Sequence, residues 1–201
     1  MKFKELKKSL SVEISPVYLV SGEDAFFRER ALKLICERCV KEPDINLTVY
    51  NGADVKEDPE KLLSALFSFP FMSEKRVVAV REYYPTSANF APLRPYFEDP
   101  QETTVFVVVN SASCDVLSKQ KGITPVDCSK GDLSLLGGWV SNEAAKAGLA
   151  ITPRAAANLI DLCDYDMTRI NGETEKLISY AADKGEITED DVSEICVKET
   201  D

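Results

Sequence analysis

Between Tyr18 and Glu29 the chain reads Tyr18-Leu19-Val20-Ser21-Gly22-Glu23-Asp24-Ala25-Phe26-Phe27-Arg28-Glu29: an apolar run, a glycine, then a helix-forming segment. That is the setting of a phosphate-binding loop, where backbone N–H groups and a helix N-terminus cradle an anion. With the G-x-x-x-x-G-K-[ST] pattern set on Gly22, Phe27 replaces the second glycine and Arg28 the lysine, and Glu29 replaces the hydroxyl that would hold magnesium. Phe27 takes the space where backbone must approach phosphate. Glu29 cannot stand in for a neutral hydroxyl, and Glu23 and Asp24 repel polyphosphate. In a working ATPase the third strand would supply a magnesium carboxylate; here Arg76-Val77-Val78-Ala79-Val80 runs into Arg81. The next apolar run ends at Asn110, the place of a phosphate-sensing residue, and a turn residue explains an Asn there equally well. Gly22, Phe27, Arg28 and Glu29 therefore read as a degenerate phosphate loop, not expected to bind nucleotide, and no cofactor is expected.

The chain has no histidine. That excludes Ser-His-Asp and Cys-His nucleophile pairs, a His general base and His-ligated zinc. Cys36-Glu37-Arg38-Cys39 has the spacing of a zinc knuckle or redox pair, but it lies inside a predicted helix, and the other cysteines are single and distant. No metal site is expected. With 24 Lys+Arg against 34 Asp+Glu the net charge is −10, so no generic basic surface for nucleic acid is expected. Lys2, Lys4, Lys7 and Lys8 read as a solvated helix face.

Leu62 to Met72 reads LLSALFSFPFM. A helix can bury Leu62, Leu63 and Leu66. Phe67, Phe69, Pro70, Phe71 and Met72 follow within six positions, and Pro70 turns Phe69–Met72 out of the helix. Not all of these side chains can face one core. Spacing alone favours Phe71 and Met72 packing back under the next strand; an exposed wedge for a partner is the other placement.

The elements that must carry these residues alternate. Phe3, Leu6 and Leu10 mark an amphipathic helix over 2–10. Strands are predicted at Val17–Val20, Asn46–Tyr50, Arg76–Val80, Thr103–Val109 and Ile123–Cys128. Asp24 caps a helix with a Phe27, Ala31, Leu34, Ile35 stripe, Pro59 opens another, and a Pro-interrupted helix covers 90–97. Asn51-Gly52 reads as a turn. This is an α/β pattern, a parallel sheet with helices on both faces. Thr103–Val109, apolar almost throughout, suits a strand covered on both sides. After Gly131 the chain reads as helices only, at 133–147, 153–163, 167–182 and 189–197, so domains are expected at 1–131 and 132–201. The first ten residues lack a signal peptide's apolar stretch, and no apolar run approaches membrane-spanning length. The expectation is a cytoplasmic protein with reduced thiols and no membrane partner.

Several segments, in order, resemble the delta subunit of bacterial DNA polymerase III, the clamp-loader wrench. These are Pro16–Asp24; Leu62–Leu66 with Phe69–Val78; Thr103–Val109; and Asp166–Leu177 through to Ile187–Val192. The resemblance implies a fold of the AAA+ type without a working nucleotide site, followed by a small helical lid. It implies a non-catalytic subunit that binds the sliding clamp (the beta subunit) and opens the ring for loading onto DNA. Phe71 and Met72 match the family's apolar clamp-binding pair, with Phe69 and Pro70 beside them; the usual residues are Leu and Phe. The Gln that begins the motif in some members falls at Phe67. Arg169 matches a second phosphate-sensor position of active relatives. Other loader subunits would be reached through a collar domain expected beyond Asp201, and primer–template DNA only within that assembly. A nucleotide-binding P-loop NTPase with a divergent loop, and a generic assembly adaptor, are the readings to set against this one.

Overall fold

Five apolar runs become parallel strands: β1 (Val17–Ser21), β2 (Leu47–Asn51), β3 (Arg76–Arg81), β4 (Thr104–Asn110) and β5 (Ile123–Asp127). Their order across the sheet is β2-β3-β4-β1-β5. β4 sits in the middle, with Phe106 in register with Val17 on one side and Val78 on the other. All of its residues are buried, which is why it carries no polar alternation. Pro125 lies on β5, an edge strand, where its missing N–H costs least.

This computed structural model describes residues 1–196, and they divide into two units, Met1–Ser129 and a second that begins at Lys130. In the first, α1 (Phe3–Val12) and α2 (Ala25–Cys39) lie together, with the Phe3 and Phe27 rings 4.7 Å apart. The stripe on α2 includes buried Leu32, whereas Leu34 is only half-buried. The helix has neighbours on two sides, α1 and the sheet, so one narrow stripe does not describe it. The Asp24 side chain caps it by accepting from the Phe27 N–H at 3.0 Å.

The short helices are α3 (Pro43–Asn46), α4 (Gly52–Glu57), α5 (Pro59–Leu66), α6 (Ser87–Phe90), α7 (Arg94–Glu98) and α8 (Asp115–Ser118), with a 3₁₀ turn at Ala91–Leu93. Residues of α4 to α8 and alternate strand positions form one core with Leu62, Leu66, Val80, Phe90, Tyr96 and Phe106 at its centre. The expected turn at Asn51-Gly52 is instead the start of α4. Gly52 is needed there because a Cβ would meet the Glu82 carbonyl oxygen at 2.2 Å.

The second unit carries α9 (Leu133–Lys146), α10 (Pro153–Leu162), α11 (Met167–Tyr180) and α12 (Glu189–Ile195). Asp132, Thr152, Asp166 and Thr188 cap them in turn. It is helical apart from β6 (Ala150–Ile151) and β7 (Glu186–Ile187), a two-residue parallel pair. Val197, where the last helix was expected to end, lies outside the described residues.

Candidate functional site

The loop after β1 has turned its polar backbone inward. Gly22 has φ +147°, and a Cβ there would lie 2.2 Å from the Cys128 carbonyl carbon. The glycine serves an approach of two backbone segments. The Gly22 N–H donates to the Asn110 carbonyl at 3.3 Å and the Asp24 N–H to the Cys128 carbonyl at 3.1 Å. The Phe27 and Arg28 N–H groups go to the Asp24 side chain and carbonyl. Four donors that such a loop would offer to phosphate are thus already used. Phe27 is in the core. The Arg28 guanidinium folds back and donates to the Gly22 carbonyl.

Glu29 and Arg81 meet. The guanidinium donates to both carboxylate oxygens, at 2.6 and 2.9 Å. The residue at the magnesium-hydroxyl position and the residue at the magnesium-carboxylate position therefore neutralise one another, and no cation is called for between them. Asn110, at the end of β4, is fully buried and grips Tyr83, accepting its N–H at 2.9 Å and donating to its carbonyl at 2.8 Å. In the second unit, Arg169 donates to the Leu162 carbonyl at the end of α10 and pairs with Asp164. Each of these contacts is internal to its own unit.

The tip after α5 is the opposite case. Leu62, Ala65 and Leu66 fill the buried face of α5. The chain then leaves the core: Phe69 is 75% exposed, Phe71 60% and Met72 86%. The packing-back that spacing favoured does not occur. Phe67 is half in and half out, its ring edge-on to Tyr96 at 5.5 Å. The turn itself is held. The Phe71 N–H donates to Asn46 Oδ1 at 2.7 Å, and Asn46 Nδ2 donates back to the Phe71 carbonyl at 2.9 Å. Met72 follows with φ +50°, in the left-handed region that side-chain-bearing residues seldom adopt. By the sequence pattern Asn46 opens a strand. Its partner lies 25 residues away, so no local pattern marks it.

Cys36 and Cys39 lie on α2, half-buried and buried, and burial pushes both thiols up to about 11. At neutral pH both are protonated and weakly nucleophilic. Among the described residues no group of three or more His, Cys, Asp or Glu side chains is placed to hold a metal ion. No helix among them is long and apolar enough to cross a membrane.

Comparison with known proteins agrees with the fold. The chain is 28% identical over 210 residues to the DNA polymerase III subunit delta of Bacillus subtilis (strain 168), covering 94% of this chain and 58% of that protein. Among solved structures it is similar to the Bacillus subtilis DNA clamp loader delta protein, with TM-score 0.71 and 24% identity over 98% of this chain and 63% of that one. It is also similar to the Thermotoga maritima RuvB Holliday junction branch migration motor, with TM-score 0.62 and 17% identity over 96% of this chain and 67% of that one. These likenesses establish an AAA+-type fold. The chain spans somewhat under two thirds of each Bacillus chain it matches. The family model described as DNA polymerase III, delta subunit, matches residues 18–122, more than half of the chain, and the protein belongs to that family.

Proposed function

We propose that this chain is the clamp-engaging portion of a clamp-loader subunit. It binds the DNA polymerase III sliding clamp, the beta subunit, by seating Phe71 and Met72 in an apolar pocket with Phe69 and Pro70 beside them. It opens the ring for loading onto DNA in replication without itself binding ATP. The observation that carries this reading is the tip: three large apolar side chains stand in water on a turn whose backbone is fixed. Exposed clusters of this kind mark protein-binding surfaces. Opening follows if the tip binds a distorted clamp interface more tightly than the closed one, since a ligand shifts an equilibrium only by its differential affinity.

The filled loop supports the ATP-free part, and the subunit is non-catalytic. Clustered, exposed Phe71 and Met72 argue against a generic adaptor whose tip is core. In the cell the subunit is cytoplasmic. It meets the other loader subunits through the family's collar domain, and primer–template DNA only within that assembly. The test is calorimetry or pull-down against the clamp of the same organism. Phe71→Ala with Met72→Ala is expected to abolish binding and leave the fold intact. Undiminished affinity in that variant would overturn the assignment. Micromolar binding of Mg-ATP by the chain would favour an active nucleotide-binding subunit instead.

A further inference from the structure

Two buried asparagines in the first unit each grip both backbone polar groups of one distant residue. Asn110 grips Tyr83, which is itself buried, so that clamp closes the core. Asn46, 1% exposed, grips Phe71, whose side chain stands in water. Bonds to both the N–H and the C=O of one residue fix the peptide planes on either side of its Cα. They therefore fix the direction in which the side chain leaves the backbone. The next residue, Met72, is left-handed. For an L-residue that conformation is unfavourable and persists where the surroundings impose it. In the free chain this orientation still leaves the Phe71 side chain 60% exposed. What it supplies is a fixed shape for Phe71 and Met72, and a preorganised turn loses less freedom on binding.

We propose that Asn46 is a positioning residue for the apolar tip, holding the Phe69–Met72 turn in the one shape that a partner's apolar pocket receives. The inference rests on the clamp-binding reading above. Without the clamp on Phe71 the turn spreads over several conformations, and apparent affinity falls by the fraction that remains competent.

The test uses the whole chain and the sliding clamp of the same organism. Asn46→Ala is expected to weaken clamp binding about tenfold or more, mostly through slower association, because only the competent fraction of free chains docks. In the free chain, amide hydrogen exchange at Phe71 should accelerate well beyond that of β3 and β4. Asn46→Asp keeps the acceptor for the Phe71 N–H and loses the donor to its carbonyl. Its second carboxylate oxygen then faces that carbonyl, so clamp binding should weaken as well; if neither variant folds, exchange at the Phe71 amide of the wild-type chain decides the matter, slow if Asn46 holds the turn and as fast as in an open loop if it does not. Asn110→Ala removes the same kind of clamp from Tyr83; it should destabilise the unit and leave the affinity of the folded fraction unchanged. The proposal is overturned if Asn46→Ala binds like wild type while Phe71→Ala with Met72→Ala does not bind. It is equally overturned if Asn110→Ala weakens binding as much as Asn46→Ala. If the double tip variant binds undiminished, the clamp-binding reading fails first, and exchange at Phe71 still decides whether Asn46 fixes the turn.

Discussion

The loop at Gly22 and the tip at Phe71 are both corners between a strand and a helix of the same unit, and they are built in opposite senses. At the loop the backbone donors point into the protein: Asn110, Cys128 and Asp24 take them, and Arg28 and Glu29 are tied to a carbonyl and to Arg81. At the tip the backbone is tied just as firmly, by Asn46, but the apolar side chains are left out. A site open to a ligand needs unsatisfied groups on a fixed frame. The tip has them and the loop does not. The difference separates what this unit keeps of a nucleotide-binding architecture, its frame, from what, on the reading proposed above, it offers to a partner, a wedge.

The sharpest way to break the comparison is to remove the wedge. Phe71→Ala with Met72→Ala should lower clamp affinity on the order of a thousandfold, taking truncation of such anchors at 2–4 kcal/mol each and sub-additive. Thermal unfolding should stay where it is, because exposed side chains contribute within about 0.5 kcal/mol to stability. A lowered melting point would mean that the tip belongs to the core. Next in size is Gly22→Ala. Its Cβ would overlap backbone at Cys128 from a φ that alanine avoids, so a loss of about 3 kcal/mol in urea unfolding is expected. Clamp affinity of the folded fraction should not change. A variant as stable as wild type would show that the loop can move away from Cys128 and is less closed than its hydrogen bonds imply.

Much of this frame was legible. The alternation of runs and helices gives the sheet, Asp24 and Pro59 announce their helices, and the phosphate-loop substitutions are visible one by one. What was not legible is non-local. Glu29 and Arg81 each read as a missing part; only the fold, bringing together residues 52 apart, makes them a pair. Asn46 reads as a strand residue until Phe71 is beside it. The exposure of Phe71 and Met72 goes against the hydrophobic rule, since apolar spacing measures preference for burial and not the room available for it. β6 and β7 are too short for any period to show.

The ion pair makes a smaller prediction. Arg81→Ala should cost about 0.5 kcal/mol, since both side chains are substantially exposed and such pairs are screened. More telling, Glu29→Ser with Arg81→Asp restores the types of residue a magnesium site uses. Mg-ATP binding should still be absent by calorimetry, because the loop's N–H groups remain engaged. Micromolar binding in that variant would place the whole defect in two side chains and make the loop a dormant site, not a closed one.

The smallest effect concerns the seam beside the loop. Asp127, at the end of β5 next to Cys128, accepts from the Lys2 ammonium at 2.6 Å and from the Ser129 N–H at 2.9 Å. Lys2 first, and Ser129 after it, hold the carboxyl down at about 2, below the ordinary range near 3.8. A carboxyl lowered on folding adds stability above its unfolded value and loses it as pH falls through its folded value. The contribution is therefore whole at neutral pH and fades between about pH 4 and pH 2. Both partners are exposed, so Lys2→Ala should cost only a few tenths of a kcal/mol at pH 7. The difference from wild type in urea midpoints should narrow as pH falls through about 2 and vanish below it. A deficit that persisted there would mean that the Lys2 side chain acts by packing, and that the polar closure of this corner needs no charge at its edge.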